Sequence, residues 1–130
     1  MQTPVVKKLI TSSLVAEEYY LPNEKLIVGN PKQTIWPHYS NATQRFSTGI
    51  WQSEIGKWKI NYTEEEFCQL LEGVSVITDA DGNAVTVSAG ENFVIPSGFV
   101  GTWEVIETTK KIYVIYEANS FEANSFVTNN

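Results

Sequence analysis

Short apolar and β-branched runs recur along the chain, and each is followed by residues that favour turns. This pattern predicts strands near residues 4–10, 25–28, 43–52, 57–62, 74–78, 84–88, 92–95, 101–107 and 110–117. The clearest prediction is a hairpin, because the Asp81-Gly82 pair between two of these runs supplies the positive φ that a tight reversal requires. Many short strands separated by turns are typical of a β-sandwich or β-barrel.

Residues 63–73 contain the one signal for a helix. Thr63 and Glu66 have the spacing of a capping box, and three apolar residues at helical spacing precede Gly73, a candidate C-cap. The surrounding pattern is all-β, however, and tertiary context overrides local propensity in sheets. Together with a family resemblance described below, this predicts a strand over residues 64–72.

Length and composition predict one soluble globular domain. The chain has 130 residues, enough for one core, with 42% hydrophobic and 18% charged residues. A net charge of −6 argues against nucleic acid or an anionic membrane as partner, since phosphate recognition needs clustered Lys and Arg. No apolar run is long enough to cross a bilayer and no signal peptide is recognisable, so a cytoplasmic location is expected.

Two sequence blocks carry a family resemblance. In the first, Glu66 precedes Gly73 by seven positions, and in the second, Gly90-Glu-Asn-Phe-Val-Ile-Pro96-Ser-Gly98 has a glycine, five residues and then Pro-x-Gly. On these blocks, residues 51–116 resemble the cupin superfamily. Further short motifs make the region similar to the small cupins related to ureidoglycine aminohydrolase and the ethanolamine-utilisation cupin: Gly49-Ile-Trp51, Gly56-Lys-Trp58, Phe99-Val-Gly101-Thr-Trp103 and Lys111-Ile-Tyr113.

The resemblance implies an all-β fold, a double-stranded β-helix or jelly roll of two facing antiparallel sheets. It also implies a homodimer, because such cupins often pair through sheet extension or an N-terminal strand. We expect a single cupin domain over residues 1–130. Its parts are an N-terminal extension, a cupin core and a loose C-terminal tail, at residues 1–45, 46–117 and 118–130.

The resemblance also places the family's metal ligands, and most of them are missing from this chain. Counting back from Glu66, the two histidine positions fall on one of two pairs, depending on the family spacing used: Ile60 and Tyr62, or Lys59 and Asn61. The last ligand position, three residues after Gly98, is Gly101. One carboxylate does not replace the hydration shell of a divalent cation, so we expect neither a metal nor another cofactor.

The candidate site residues are Tyr62, Glu66, Trp103 and Tyr113, which we expect to line a cavity that binds a small polar metabolite. Glu66 would serve as a general base or substrate anchor, or it is an inherited carboxylate held by Tyr62 or a backbone amide. Trp103, together with Trp58, either stacks on a planar ligand or fills a narrow barrel.

Three further polar residues have open roles. Lys111 shares a strand face with Tyr113, so it either enters the barrel, to bind an anionic substrate or pair with Glu66, or is a surface charge. The single cysteine, Cys68, is expected to be a small buried residue, since one thiol supplies neither a disulfide nor a multi-thiolate site. The single histidine, His38, follows a proline and is expected in a loop.

Other functions remain open, as does whether the protein is an enzyme. One is a metal-dependent aminohydrolase-like enzyme acting on a ureido compound, and another is a metal-free isomerase or epimerase with His38 as base and Tyr62 as acid. The last is an interaction module, in which an exact repeat of Glu-Ala-Asn-Ser-Phe at residues 117–126 matters most. That repeat is either a duplication in a loose terminus or a means of docking Phe121 and Phe126 on a neighbouring subunit.

Overall fold

A computed structural model describes residues 3–118. Their regular structure is almost entirely antiparallel β, with two single-turn 3-10 helices at Thr11–Ser13 and Asn23–Lys25. The nine strands are β1 (Glu17–Tyr19), β2 (Leu26–Val28), β3 (Gln33–Ser40), β4 (Phe46–Ser53), β5 (Gly56–Asn61), β6 (Glu65–Asp79), β7 (Ala84–Ser88), β8 (Asn92–Ile95) and β9 (Val100–Tyr116). In the described part of the chain, no helix has the length and apolar character needed to span a membrane.

The two longest strands, β6 and β9, form an antiparallel ribbon that belongs to two sheets at once. The second half of β9 pairs with β4 on one side and with the first half of β6 on the other. The first half of β9 pairs with β5 and with the second half of β6. The first sheet therefore has the order β1-β3-β4-β9-β6-β8, and the second has the order β2-β5-β9-β6-β7.

The ribbon changes register where the two sheets separate. The β6–β9 pairing shifts three times between Leu70 and Ser75. Gly73 lies at the centre of this region with φ of +91°, a conformation that L side chains rarely adopt, and a Cβ there would meet the Thr108 carbonyl oxygen. The bend allows the two halves of the ribbon, and the sheets built on them, to face each other.

Side chains that point between the sheets form one continuous core. Burial alternates along β6 and β9, as expected when one face of a strand packs inward and the other faces water. The inner face is rich in aromatic residues, which contribute large apolar area. Its largest buried side chains include Trp51, Trp58, Trp103, Tyr62, Tyr113 and Leu70.

The all-β, jelly-roll prediction is confirmed, including the choice of strand over helix at residues 64–72. Three predictions about elements are wrong. The strands predicted at 64–72 and 74–78 are one continuous strand, β6. Residues 3–10 form no strand, and the two strands predicted at 101–107 and 110–117 are one continuous strand, β9. Strands β1 and β3 were not predicted; β3 contains Pro37, and its pairing with β4 becomes irregular between Pro37 and Tyr39.

Candidate functional site

A fully buried ion pair lies at the centre of the barrel. Glu66 of β6 and Lys111 of β9 both point inward, and Nζ of Lys111 is 2.9 Å from Oε2 of Glu66. Neither side chain has any solvent-exposed surface. The interior position of Lys111 follows from strand alternation, because it shares a face with the buried Tyr113 two residues later. Of the roles left open for Lys111, the structure shows pairing with Glu66.

A phenol holds the other oxygen of the carboxylate. Tyr62 donates a hydrogen bond from its hydroxyl to Oε1 of Glu66 at 2.6 Å. The backbone of Tyr62 is fixed in turn: its N–H donates to the Phe99 carbonyl at 2.8 Å, and its carbonyl accepts from Gly98 N–H at 2.6 Å. Gly98 has φ of +88°, so the Pro-Ser-Gly turn of the second sequence block here positions a tyrosine against Glu66.

Two tryptophan rings enclose the Lys111 ammonium. Nζ lies 4.6 Å from the centroid of the Trp51 ring and 4.4 Å from that of the Trp103 ring, both within cation–π range. The Trp51 and Trp103 rings meet edge to face at 5.4 Å, and Trp58 stacks parallel to Trp103 at 6.5 Å. The cation is therefore held by one carboxylate and two aromatic faces.

Hydrogen-bond partners differ among the three tryptophans. Trp51 Nε1 donates to Gln33 Oε1 at 2.8 Å, and Trp103 Nε1 donates to Ser75 Oγ at 3.1 Å. Ser75 shares a further hydrogen bond with Thr109. Trp58 Nε1 is buried and has no acceptor among residues 3–118. Buried donors are nearly always paired, so the Trp58 N–H is a position where an additional acceptor atom would be stabilising.

Protonation states at neutral pH leave the interior without a reactive nucleophile. Burial, assisted by Glu66, raises the pKa of the Tyr62 phenol well above its ordinary value, and burial likewise raises the pKa of the Cys68 thiol. Burial lowers the pKa of Lys111, but the acidic groups beside it, Glu66 among them, more than offset this effect, and the net direction is upward. Tyr62, Cys68 and Lys111 are therefore phenol, thiol and ammonium rather than phenolate, thiolate and free amine.

The residues present do not fit a metal ion. Glu66 already binds an ammonium and a phenol, and Ile60 is a core residue without a donor atom. A Cβ at Gly101 would meet the Thr78 carbonyl oxygen across the β6–β9 pairing, so the backbone has no room for a side chain there. In residues 3–118, no group of three or more His, Cys, Asp and Glu side chains could hold a metal.

The structure brings all four candidate site residues into the interior. Tyr62, Glu66 and Tyr113 are 0% exposed and Trp103 is 1% exposed, so solvent does not reach them. The Tyr113 ring lies against the backbone at Gly49, where a Cβ would be 2.6 Å from its hydroxyl oxygen. This contact gives a physical reason for the glycine in Gly49-Ile-Trp51.

Sequence reasoning misplaced His38 and missed Gln33 and Trp51. His38 lies in strand β3, not in a loop, and its Nε2 is 2.8 Å from Thr11 Oγ1 of the N-terminal segment. The structure thus does not bring His38 together with Tyr62. Trp51 was noted only as part of a motif, and Gln33, its hydrogen-bond acceptor, belongs to the unpredicted strand β3.

A small apolar recess marks one mouth of the barrel. It has a volume of about 140 Å³ and lies between β7 and β8, with Asp79 and Asn83 at the hairpin end. Two half-buried aromatic side chains that line it, Phe93 and Phe99, also pack on the core, and the Phe93 ring is 6.1 Å from Trp103. Two buried core residues, Ile77 and Ile95, also line the recess.

Comparison with known proteins gives consistent matches. A family model for the EutQ-like cupin domain matches residues 40–113, whereas no curated protein matches the chain. Among solved structures, the Clostridium difficile EutQ protein is 23% identical over 73% of this chain and 77% of that chain, with a TM-score of 0.62. Ethanolamine utilization protein Q from Salmonella typhimurium is 14% identical over 82% of this chain and 98% of that chain, with a TM-score of 0.61.

A third solved structure is similar over most of this chain. It is a Pseudomonas syringae pv. tomato protein of unknown function, 18% identical, with a TM-score of 0.71. The match covers 78% of this chain but 43% of that protein. At these identities the likeness concerns the fold alone.

Proposed function

This chain belongs to the EutQ-like cupin family, and from that premise we propose that it is a metal-independent cupin that binds a small polar metabolite inside its barrel. The family match confirms the resemblance to ethanolamine-utilisation cupins. No specific activity is established by that membership, because one fold carries many functions. The support for the proposal therefore comes from the interior of the barrel.

The observation that carries the metal-independent part is the occupation of Glu66. Its two carboxylate oxygens are engaged by Lys111 at 2.9 Å and by Tyr62 at 2.6 Å. A divalent cation placed there would meet an ammonium at the same oxygen, and like charges at contact distance in a dry interior repel strongly. The Lys111 cation thus stands where a metal would otherwise balance the carboxylate.

Binding is favoured over catalysis by the protonation states. With Lys111 as ammonium, Cys68 as thiol and Tyr62 as phenol, the interior offers hydrogen-bond donors but no free base or nucleophile. The Glu66–Lys111 pair has no net charge, so the expected ligand is uncharged overall. A carbonyl or hydroxyl oxygen on such a ligand would accept from Trp58 Nε1, a donor whose burial without a partner costs about 1–3 kcal/mol.

Ligand entry requires the barrel to open, because the candidate residues are buried. The recess between β7 and β8 is the proposed entrance, since Phe93 and Phe99 line it and pack on the core, and the Phe93 ring is 6.1 Å from Trp103. Outward rotation of these two rings would connect the recess to Trp58 and Trp103.

Elemental analysis tests the metal-independent part. The protein is expressed in medium supplemented with manganese, iron, zinc and nickel and is purified without chelator. We expect substoichiometric amounts of every metal, unchanged in Glu66→Gln. One metal ion per chain in the wild type that disappears in Glu66→Gln would overturn the proposal.

Native mass spectrometry tests the ligand. We expect a fraction of the purified protein to carry an added small mass that is released on denaturation and is lost in Trp58→Phe, which keeps the ring packing but removes the donor. Lys59→Gln, a change on the outer face of the same strand, is the matched control and should retain the mass. Wild-type protein that carries no added mass in any preparation would refute metabolite binding.

A further inference from the structure

An apolar groove crosses the outer surface of the first sheet, beside the N-terminal segment. Its volume is about 410 Å³, and its walls include Val5, Lys7, Leu9, Tyr39, Phe46 and Val114. The Tyr39 and Phe46 rings meet edge to face at 6.3 Å, and the contact between Thr11 and His38 ties the N-terminal segment to β3. The groove thus offers an aromatic and aliphatic lining with one cation, Lys7.

The groove continues to the point where the chain leaves the barrel. A second recess of about 200 Å³ shares Val114 with the first and is lined on its other side by Tyr116 and Phe67. Tyr116 is paired with Phe46 across β9 and β4. The N–H of the next residue, Glu117, donates to the Arg45 carbonyl at 2.7 Å, which fixes the direction in which the chain departs.

We propose that this groove binds the chain's own C-terminal segment, with the Phe121 ring in the apolar groove and the Glu122 carboxylate next to Lys7. Residues 119–130 lie outside the described part of the chain, so the proposal rests on the groove, the exit point and the sequence Asn119-Ser-Phe-Glu122. It is independent of metabolite binding inside the barrel.

Reach, volume and charge all favour this occupant. Phe121 follows Ala118 by three residues, roughly 10 Å of extended chain, while Phe46 lies one strand spacing, roughly 5 Å, from Tyr116. A groove of about 410 Å³ has room for a phenylalanine ring, and burying that ring favours the docked state by about tenfold or more. Glu122 supplies the charge opposite to Lys7.

The repeat in the tail supplies its own control. Phe126 ends the second copy of the pentapeptide and Phe121 ends the first, so Phe126 is five residues further from the exit point. Docking the ring nearer to the exit point closes a shorter loop and therefore costs less chain entropy. The nearer ring, Phe121, is the one expected to dock.

Zero-length carbodiimide crosslinking of the full chain tests the proposal. The reagent joins a carboxylate to an amine only at contact distance, and peptide mass spectrometry identifies a Lys7–Glu122 bond by loss of one water. We expect this crosslink in the wild type, about a tenfold lower yield in Phe121→Ala, and an unchanged yield in Phe126→Ala. A 1:1 mixture of ¹⁴N- and ¹⁵N-labelled chains separates intramolecular from intermolecular bonds.

Each other outcome overturns the proposal. Absence of the Lys7–Glu122 crosslink in the wild type would place the tail elsewhere, and equal yields in the two Phe variants would remove the assigned role of Phe121. Crosslinks between ¹⁴N and ¹⁵N chains at half of the total would mean that the groove is an interface with a second copy.

Discussion

Removing one member of the Glu66–Lys111 pair is expected to cost far more stability than removing both. Lys111→Met keeps an unbranched side chain between the Trp51 and Trp103 rings but leaves the carboxylate without its cation. Both side chains are completely buried and 2.9 Å apart, and an uncompensated charge in such a position costs about 3–5 kcal/mol. This is a large share of the roughly 5–15 kcal/mol that stabilises a typical domain.

The double variant Glu66→Gln/Lys111→Met removes both charges. Its glutamine oxygen still accepts from Tyr62, and the methionine still packs between the indole rings. Replacing a whole buried pair by neutral groups is often neutral or stabilising by about 1–4 kcal/mol. We therefore expect the double variant to be more stable than either single variant, with a coupling energy of about 3 kcal/mol or more.

Urea unfolding at pH 7, followed by fluorescence of the four tryptophans, measures these differences. Lys110→Met is the control, because Lys110 is 4.0 Å from a largely exposed Glu72 and such surface pairs contribute about 1 kcal/mol or less. The reasoning is refuted if Lys111→Met costs no more than Lys110→Met. It is equally refuted if the double variant is not more stable than both single variants.

Three further predictions concern the same interior. Gly49→Ala places a Cβ 2.6 Å from the Tyr113 hydroxyl and should lower the free energy of unfolding by about 1–3 kcal/mol; a urea midpoint equal to that of the wild type would contradict this contact. Gly101→Ala, whose Cβ would meet a β6 carbonyl oxygen, should be destabilised at least as much in the same assay, and an unchanged midpoint would show that this position has room for a side chain. The free energy of unfolding should be constant near neutral pH and should fall above about pH 9. The folded chain keeps Cys68 and Tyr62 protonated, because burial raises the pKa of both groups. The unfolded chain releases these protons at the ordinary pKa values of 9.0 and 10.0. Urea titrations across this pH range should show that, in Cys68→Ala, the pH at which stability begins to fall moves towards about 10. If that pH is the same as in the wild type, the thiol is not the cause of the fall.

Short sequence motifs correctly predicted the parts of the fold that depend on neighbouring residues alone. The Asp81-Gly82 pair correctly predicted the β6–β7 hairpin. The spacing of Glu66 and Gly73 in the first sequence block identified Glu66, and counting back from Glu66 gave Tyr62. Strand β3 was not predicted, because Pro37 interrupts the run of strand-forming residues. Its place in the sheet depends on pairing with β1 and β4, which the pattern of a single segment does not show.

The placement of Lys111 was beyond a single sequence for a different reason. The sequence analysis predicted two separate strands, at residues 101–107 and 110–117, and which face of an isolated strand points inward is undetermined. Once β9 is seen to be continuous, alternation puts Lys111 inside. The interpretation of Glu66 depended on the placement of Lys111, because Lys111 is the cation that pairs with its carboxylate.

The ribbon shared by both sheets also constrains how the protein is made. Strand β4 pairs with the last part of β9, and Thr48 donates to the Tyr113 carbonyl, 65 residues later in the chain. During synthesis, β3, β4 and β5 emerge from the ribosome long before β9, the strand that links β4 to β5. Until β9 is made, their apolar faces are not covered by the rest of the barrel. Closure of the barrel can therefore occur only after the last residues of β9 have been synthesised.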